Sequence, residues 1–182
     1  MLSNPQREYV GRVAHTLQII VGTMAVGVLM FVGVVFILAS QNAPIGGAFD
    51  SIITYVAIGM AIAVTIAWMI VPGTIVGRMR QSVIERDVAN WGLVRNIPNL
   101  EELGDVAPLA AIYQTRTIVG AALFEGAAFL ATVAYMIEHQ RIALFIAAVL
   151  LLLILSQIPT VSRLGDWIES ELVSIQQMRE MQ

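Results

Sequence analysis

Residues 17–39 run for 23 positions without a charged side chain, and residues 52–71 run for 20. At 1.5 Å per residue, a helix of either length covers a hydrocarbon layer about 30 Å thick. Two more apolar blocks follow: 117–137, whose one carboxylate is Glu125, and 142–158, rich in Leu and Ile and closed by Pro159. Each has to be helical, because a lone strand in lipid leaves its amides and carbonyls unsatisfied at several kcal/mol apiece. The expected fold class is therefore all-α: a polytopic membrane protein with four transmembrane helices and cytoplasmic amphipathic helices. The first block is too long for a signal-peptide core, which has about 7–15 apolar residues, and is expected to be retained.

Charge placement gives the orientation. Arg7 and Arg12 precede the first block; Arg78, Arg80, Arg86, Arg95 and Arg116 lie between the second and third; Arg163 and Arg179 follow the fourth. The two intervening loops hold Arg141 alone. Positive charge collects on the cytoplasmic side, so both termini and the central segment are expected there. The domain organisation that follows is a first transmembrane hairpin (1–71), a cytoplasmic helical segment (72–116), a second hairpin (117–159) and a cytoplasmic tail helix (160–182).

The segments outside the spans also read as helices. Asn4-Pro5 places a capping residue before a proline at the first helical position. The second span is expected to end at Val71-Pro72-Gly73, ahead of an amphipathic stretch from 74 to 95. Asn99 to Glu102 reads as a capping box, and Asp105 with Pro108 reads as the start of a helix running on to Glu138. In the tail, Val161, Leu164, Ile168, Leu172, Ile175 and Met178 share one face. Such a stripe needs a cover: the central segment of the same chain, or another subunit.

Composition excludes several chemistries. All ten basic residues are Arg, which removes lysine Schiff bases and P-loops, and the absence of Cys removes thiol nucleophiles, iron–sulfur ligation and zinc thiolates. A net charge of −3 without a basic, aromatic-interleaved stripe argues against nucleic acid as a partner. No nucleophile, base and oxyanion donors converge at one depth, so no enzyme is expected, and neither is a metal site or a cofactor. His15 and His139 fall at opposite ends of the spans and cannot ligate one haem within a subunit.

Glu125 is the residue that invites chemistry. It lies eight residues into the third span, about 12 Å from its end. A charge there costs at least about 2.5–3.5 kcal/mol, and no Arg, Lys or His at that depth offsets it. The carboxyl is therefore expected to stay neutral and to hydrogen-bond, with Thr23, Thr54, Thr65, Thr132 or Gln157 as candidate partners. Gly22, Gly33, Gly120, Gly126 and Ala127 are the expected helix-packing positions, because small residues let helices approach closely. Proton or cation exchange at Glu125 is one competing role, and binding of a lipid headgroup or ligand between subunits is another.

A lone acid among small residues is similar to that of the rotary-ATPase proteolipid subunits, and a glutamate in a four-helix subunit to that of the small multidrug transporters. In the first of these families the acid sits on the second helix of a hairpin; the second is shorter and lacks a central cytoplasmic segment. The run Arg116-Thr117-Ile118-Val119-Gly120-Ala121-Ala122-Leu123-Phe124-Glu125-Gly126-Ala127-Ala128-Phe129 resembles more closely a run in uncharacterised small bacterial membrane proteins frequent in planctomycetes. That resemblance covers the third span and implies a bacterial context but no activity; with the four spans, the expected location is a bacterial inner membrane. The expected function is a non-enzymatic integral membrane subunit of a homo-oligomer or larger membrane assembly, its partners being the lipid bilayer, its own copies and other membrane-complex subunits. The alternative is a proton- or cation-conducting oligomer using Glu125.

Overall fold

A computed structural model describes residues 2–41, 51–84 and 100–180. Every regular element among the described residues is helical: α1 (Asn4–Gln41), α2 (Ile52–Ile84), α3 (Leu100–Leu103), α4 (Val106–Glu138), α5 (Arg141–Ser156) and α6 (Val161–Glu180). Three are long and apolar enough to cross a membrane: α1, the Ile52–Ile70 part of α2, and α4. A fourth is counted if α5 and α6, separated by a break, are taken together.

The helix boundaries follow local chemistry. The cap of α1 lies one residue earlier than Asn4: the Gln6 side chain accepts a hydrogen bond from the Ser3 amide at 3.0 Å, and the Ser3 carbonyl accepts from the Arg7 amide. This is the reciprocal half of a capping box. α4 begins at Val106, so Pro108 falls in the first turn, where its missing N–H costs nothing. Thr160 caps α6, its hydroxyl accepting from the Arg163 amide at 3.3 Å. The apolar span within α2 ends at Ile70, next to the expected boundary, but the helix break expected at the proline is overturned, since α2 continues through Pro72 and Gly73 to Ile84. A proline removes one backbone bond, and the bonds on either side of it carry the helix onward. The amphipathic stretch expected from 74 to 95 and the box at Asn99 lie largely outside the described residues.

The chain divides into two compact units. Unit 1 comprises 1–19, 71–118 and 159–182. Its core joins Val10 and Ala14 of α1, Val106, Leu109, Ala110 and Ile112 of α4, and Leu164, Ile168 and Ile175 of α6. The tail stripe is thus covered by its own chain, with Leu172 and Met178 partly buried against the same core and Val161 left half exposed. Tyr113 packs on Trp167 with tilted rings 5.3 Å apart, and Glu169 accepts a hydrogen bond from the Leu2 amide, which fastens the start of α1 to α6.

Unit 2 comprises 20–70 and 119–158. Small residues dominate its interior: Ala25, Ala57, Ala121, Ala127, Ala128, Ala131, Ala134, Ala143 and Ala147 are buried, with Val21, Val28, Phe124 and Ile154 filling the wider layers. Its surface is apolar. Met69 is 73% exposed, Tyr55 69%, Phe145 68% and Leu152 65%. Of the large hydrophobic residues exposed among the described residues, all but Ile19, Val161 and Val173 belong to unit 2. A water-facing surface rarely carries contiguous apolar area of this kind.

Candidate functional site: an unpartnered acid and a helix clasp

Glu125 projects from α4 toward α1. Its Oε1 lies 3.8 Å from where a Cβ would stand on Gly27, so the hydrogen side chain at 27 leaves room for the carboxyl beside the α1 backbone. Phe31 and Phe129 meet edge to face at 5.1 Å one turn further along the same two helices. Glu125 is partly buried, while its neighbours Gly27, Ala122 and Gly126 are exposed. The acid therefore sits at the open seam between α1 and α4, in view of the exterior of unit 2.

None of the five candidate partners reaches it. The hydroxyls of Thr23, Thr65 and Thr132 bond to carbonyls of their own helices, those of Ile20, Ala61 and Ala128, at 2.7–2.8 Å. This back-bonding is what a Thr does in an apolar helix when no other acceptor is near. Thr54 is buried beside Glu138, and Gln157 ends α5. No hydrogen bond or ion pair to Glu125 is present among the described residues. The small-residue positions divide as well. Gly120 and Ala127 are buried between helices, whereas Gly22, Gly33 and Gly126 have open space where a side chain would be, Gly33 and Gly126 facing outward.

Gly120 is the tightest of these positions. A Cβ there would lie 2.6 Å from the Gln157 Oε1 and 3.0–3.1 Å from the Trp68 indole, so α2 and the end of α5 close on α4 only because residue 120 has no side chain. Trp68 also packs on Phe124 at 5.8 Å. The Gln157 Nε2 beside this contact is buried and without a hydrogen-bond partner in the structure.

A second polar arrangement centres on Glu138 and His139. The Glu138 carboxylate accepts from the amides of Ile53 (2.6 Å) and Thr54 (2.9 Å), two of the N–H groups that the first turn of α2 leaves unpaired. An acid from another helix caps α2 here, and its negative charge also complements the positive end of that helix's dipole. The buried Thr54 hydroxyl lies close to the same carboxylate but outside hydrogen-bond geometry.

His139 takes φ +55°, the left-handed conformation in which its amide closes the last turn of α4 on the Tyr135 carbonyl at 2.9 Å. Glycine is the usual residue there. The histidine holds the position while its Nε2 pairs with the Ala39 carbonyl, 3.2 Å away, near the end of α1. With Nε2 carrying the proton this is a donor to a carbonyl in the last turn of α1. Two adjacent residues thus fasten the start of α2 and the end of α1 to the turn between α4 and α5. Sequence reasoning did not single out Glu138, because an acid just past an apolar block looks interfacial and nothing local names the helix terminus it will meet. Replacing it with Ala leaves two amides without their charge-assisted acceptor. At this partly exposed terminus the expected cost is about 1–2 kcal/mol, read as a lowered Tm in detergent, and Glu138→Gln should fall between.

Among the described residues no cluster of three or more His, Asp or Glu side chains could hold a metal. An apolar groove of about 340 Å³ runs between α2 and α5, lined by Ile62, Thr65, Ile66, Phe145, Val149 and Leu153 among others. Its one polar side chain, Thr65, is already bonded to its own helix. No protein-family profile, no curated protein and no solved structure matches the chain.

Proposed function

We propose that the protein is a non-enzymatic integral membrane subunit of a homo-oligomer in a bacterial inner membrane, crossing it four times with both termini cytoplasmic. The observation that carries the reading is the apolar exterior of unit 2, which suits hydrocarbon and not water. Its residues, 20–70 and 119–158, coincide closely with the four apolar blocks, which supports counting α5 as a span in its own right. Of the nine arginines that orient the chain toward the cytoplasm, the seven among the described residues belong to unit 1, and the tenth, Arg141, belongs to unit 2.

Homo-oligomerisation rests on Glu125, an acid in an apolar span with no hydrogen-bond or ion-pair partner among the described residues. Native mass spectrometry of the detergent-solubilised protein is expected to give a discrete multimer, and a monomer at all concentrations would overturn the reading. The same unpaired carboxyl favours one other role, exchange of a proton or cation in a conducting oligomer. Flux into reconstituted vesicles that is present in the parent and lost in Glu125→Gln would support conduction, and no flux in the parent would end it.

A further inference from the structure

We infer that the seam between α1 and α4 is the face that meets a second copy of this chain, with the Glu125 carboxyls of the two copies hydrogen-bonded across a two-fold axis. The inference rests on the homo-oligomeric reading and adds the face and the bonding group. Its ground is the position of Glu125: on an apolar helix, partly buried, beside exposed Gly27, Ala122 and Gly126, with no hydrogen bond among the described residues.

Three occupants could satisfy that carboxyl: a lipid headgroup, a cation from solution, or protein. A position about 12 Å inside the span lies below the headgroups, and the acyl chains there offer no hydrogen-bonding atom. A cation would have to surrender its hydration at this carboxylate, and among the described residues no group of three or more His, Asp or Glu side chains stands together to replace it. A second copy supplies what a neutral carboxylic acid needs, because the acid is at once donor and acceptor and therefore complementary to itself. Two-fold symmetry brings like residue to like residue, which is the geometry such a pair requires. Exposed Gly126 and Ala122 have no bulk to hold the backbones apart, whereas the exposed face of α5 presents Phe145 and Leu152.

The chain contains no Cys, so single cysteines report on one position at a time. In oxidised membrane vesicles, Ala122→Cys and Gly126→Cys are expected to form disulfide-linked dimers several-fold more than Phe145→Cys and Leu152→Cys. If Gly126→Cys itself forces the helices apart, Ala122→Cys still reports. Glu125→Gln, whose amide also donates and accepts, should keep the dimer. Glu125→Leu should weaken the dimerisation constant about 3- to 30-fold, the range expected for one lost interhelical hydrogen bond or pair of bonds, and so lower the cross-linked fraction.

Cross-linking confined to α5, with the multimer intact by mass spectrometry, overturns the inference and leaves the homo-oligomer standing. A monomer overturns both. Unchanged cross-linking in Glu125→Leu overturns the role of the carboxyl. If neither α4 position cross-links, and sodium or anionic lipid raises the Tm of the parent but not of Glu125→Gln, the seam holds a cation or a headgroup and the inference falls.

Discussion

Replacing Gly120 with Leu is expected to lower stability by about 3 kcal/mol or to prevent assembly of the spans, seen as a large drop in Tm in detergent. The cause is steric. A Cβ at 120 meets the Gln157 Oε1 at 2.6 Å and the indole of Trp68 at 3.0–3.1 Å, and Leu adds three more carbons in the same direction. Gly120→Ala should cost less, about 1 kcal/mol, because the Gln157 amide is the end of a flexible side chain and can swing aside while the ring yields a few tenths of an ångström. The double variant Gly120→Ala with Gln157→Ala should recover part of that loss. An equal loss at Gly33, which has open space around it and lies outside that contact, would show that helix propensity or lipid contact sets the cost and not this packing.

The second large effect is expected at α6. Ile168 is fully buried among residues of α1 and α4 in unit 1, and Ile168→Asp places an unpaired carboxylate in that core. A loss of about 3–5 kcal/mol is expected, enough to release α6 from its site. Limited proteolysis should then cut within 161–180, where the parent resists, while the spans remain protected by detergent. Val173→Asp is the control: Val173 is 55% exposed, and its substitution should leave the digestion pattern unchanged. Equal protection of both variants would mean that α6 is held by something other than its own apolar face.

Much of the helical framework was legible in the residues. Uncharged blocks of span length leave a chain no alternative to helix in lipid, and the start of α4 beside Asp105 and its end at Glu138 were readable from a capping residue, a first-turn proline and the end of the apolar run. Pro72 marked the end of the apolar span but not of the helix, because proline biases its preceding residue away from helix only locally, and the continuation of α2 through it was decided by the remaining backbone bonds. The tail stripe declared that it needed a cover. Polar-against-apolar contrast works on α6, since one of its sides is meant for water.

That contrast fails within the spans, and there the tertiary structure alone decided the outcome. Interior and exterior of unit 2 are both apolar, so polarity does not mark the buried side of α1, α2, α4 or α5; side-chain volume does, and volume is read only when two helices are laid together. Gly120 and Gly126 look alike in sequence, yet one is pressed between Trp68 and Gln157 and the other faces outward. Sequence established that Glu125 lies deep in an apolar helix and needs a partner; packing established that the five side chains best suited to it are spent elsewhere or out of reach. The bonds from Glu138 to α2 span 84 and 85 residues of sequence, and His139 reaches α1 across 100. Helix ends present unpaired amides and carbonyls whatever the residues are, so which side chain satisfies them is settled by the order in which the helices pack.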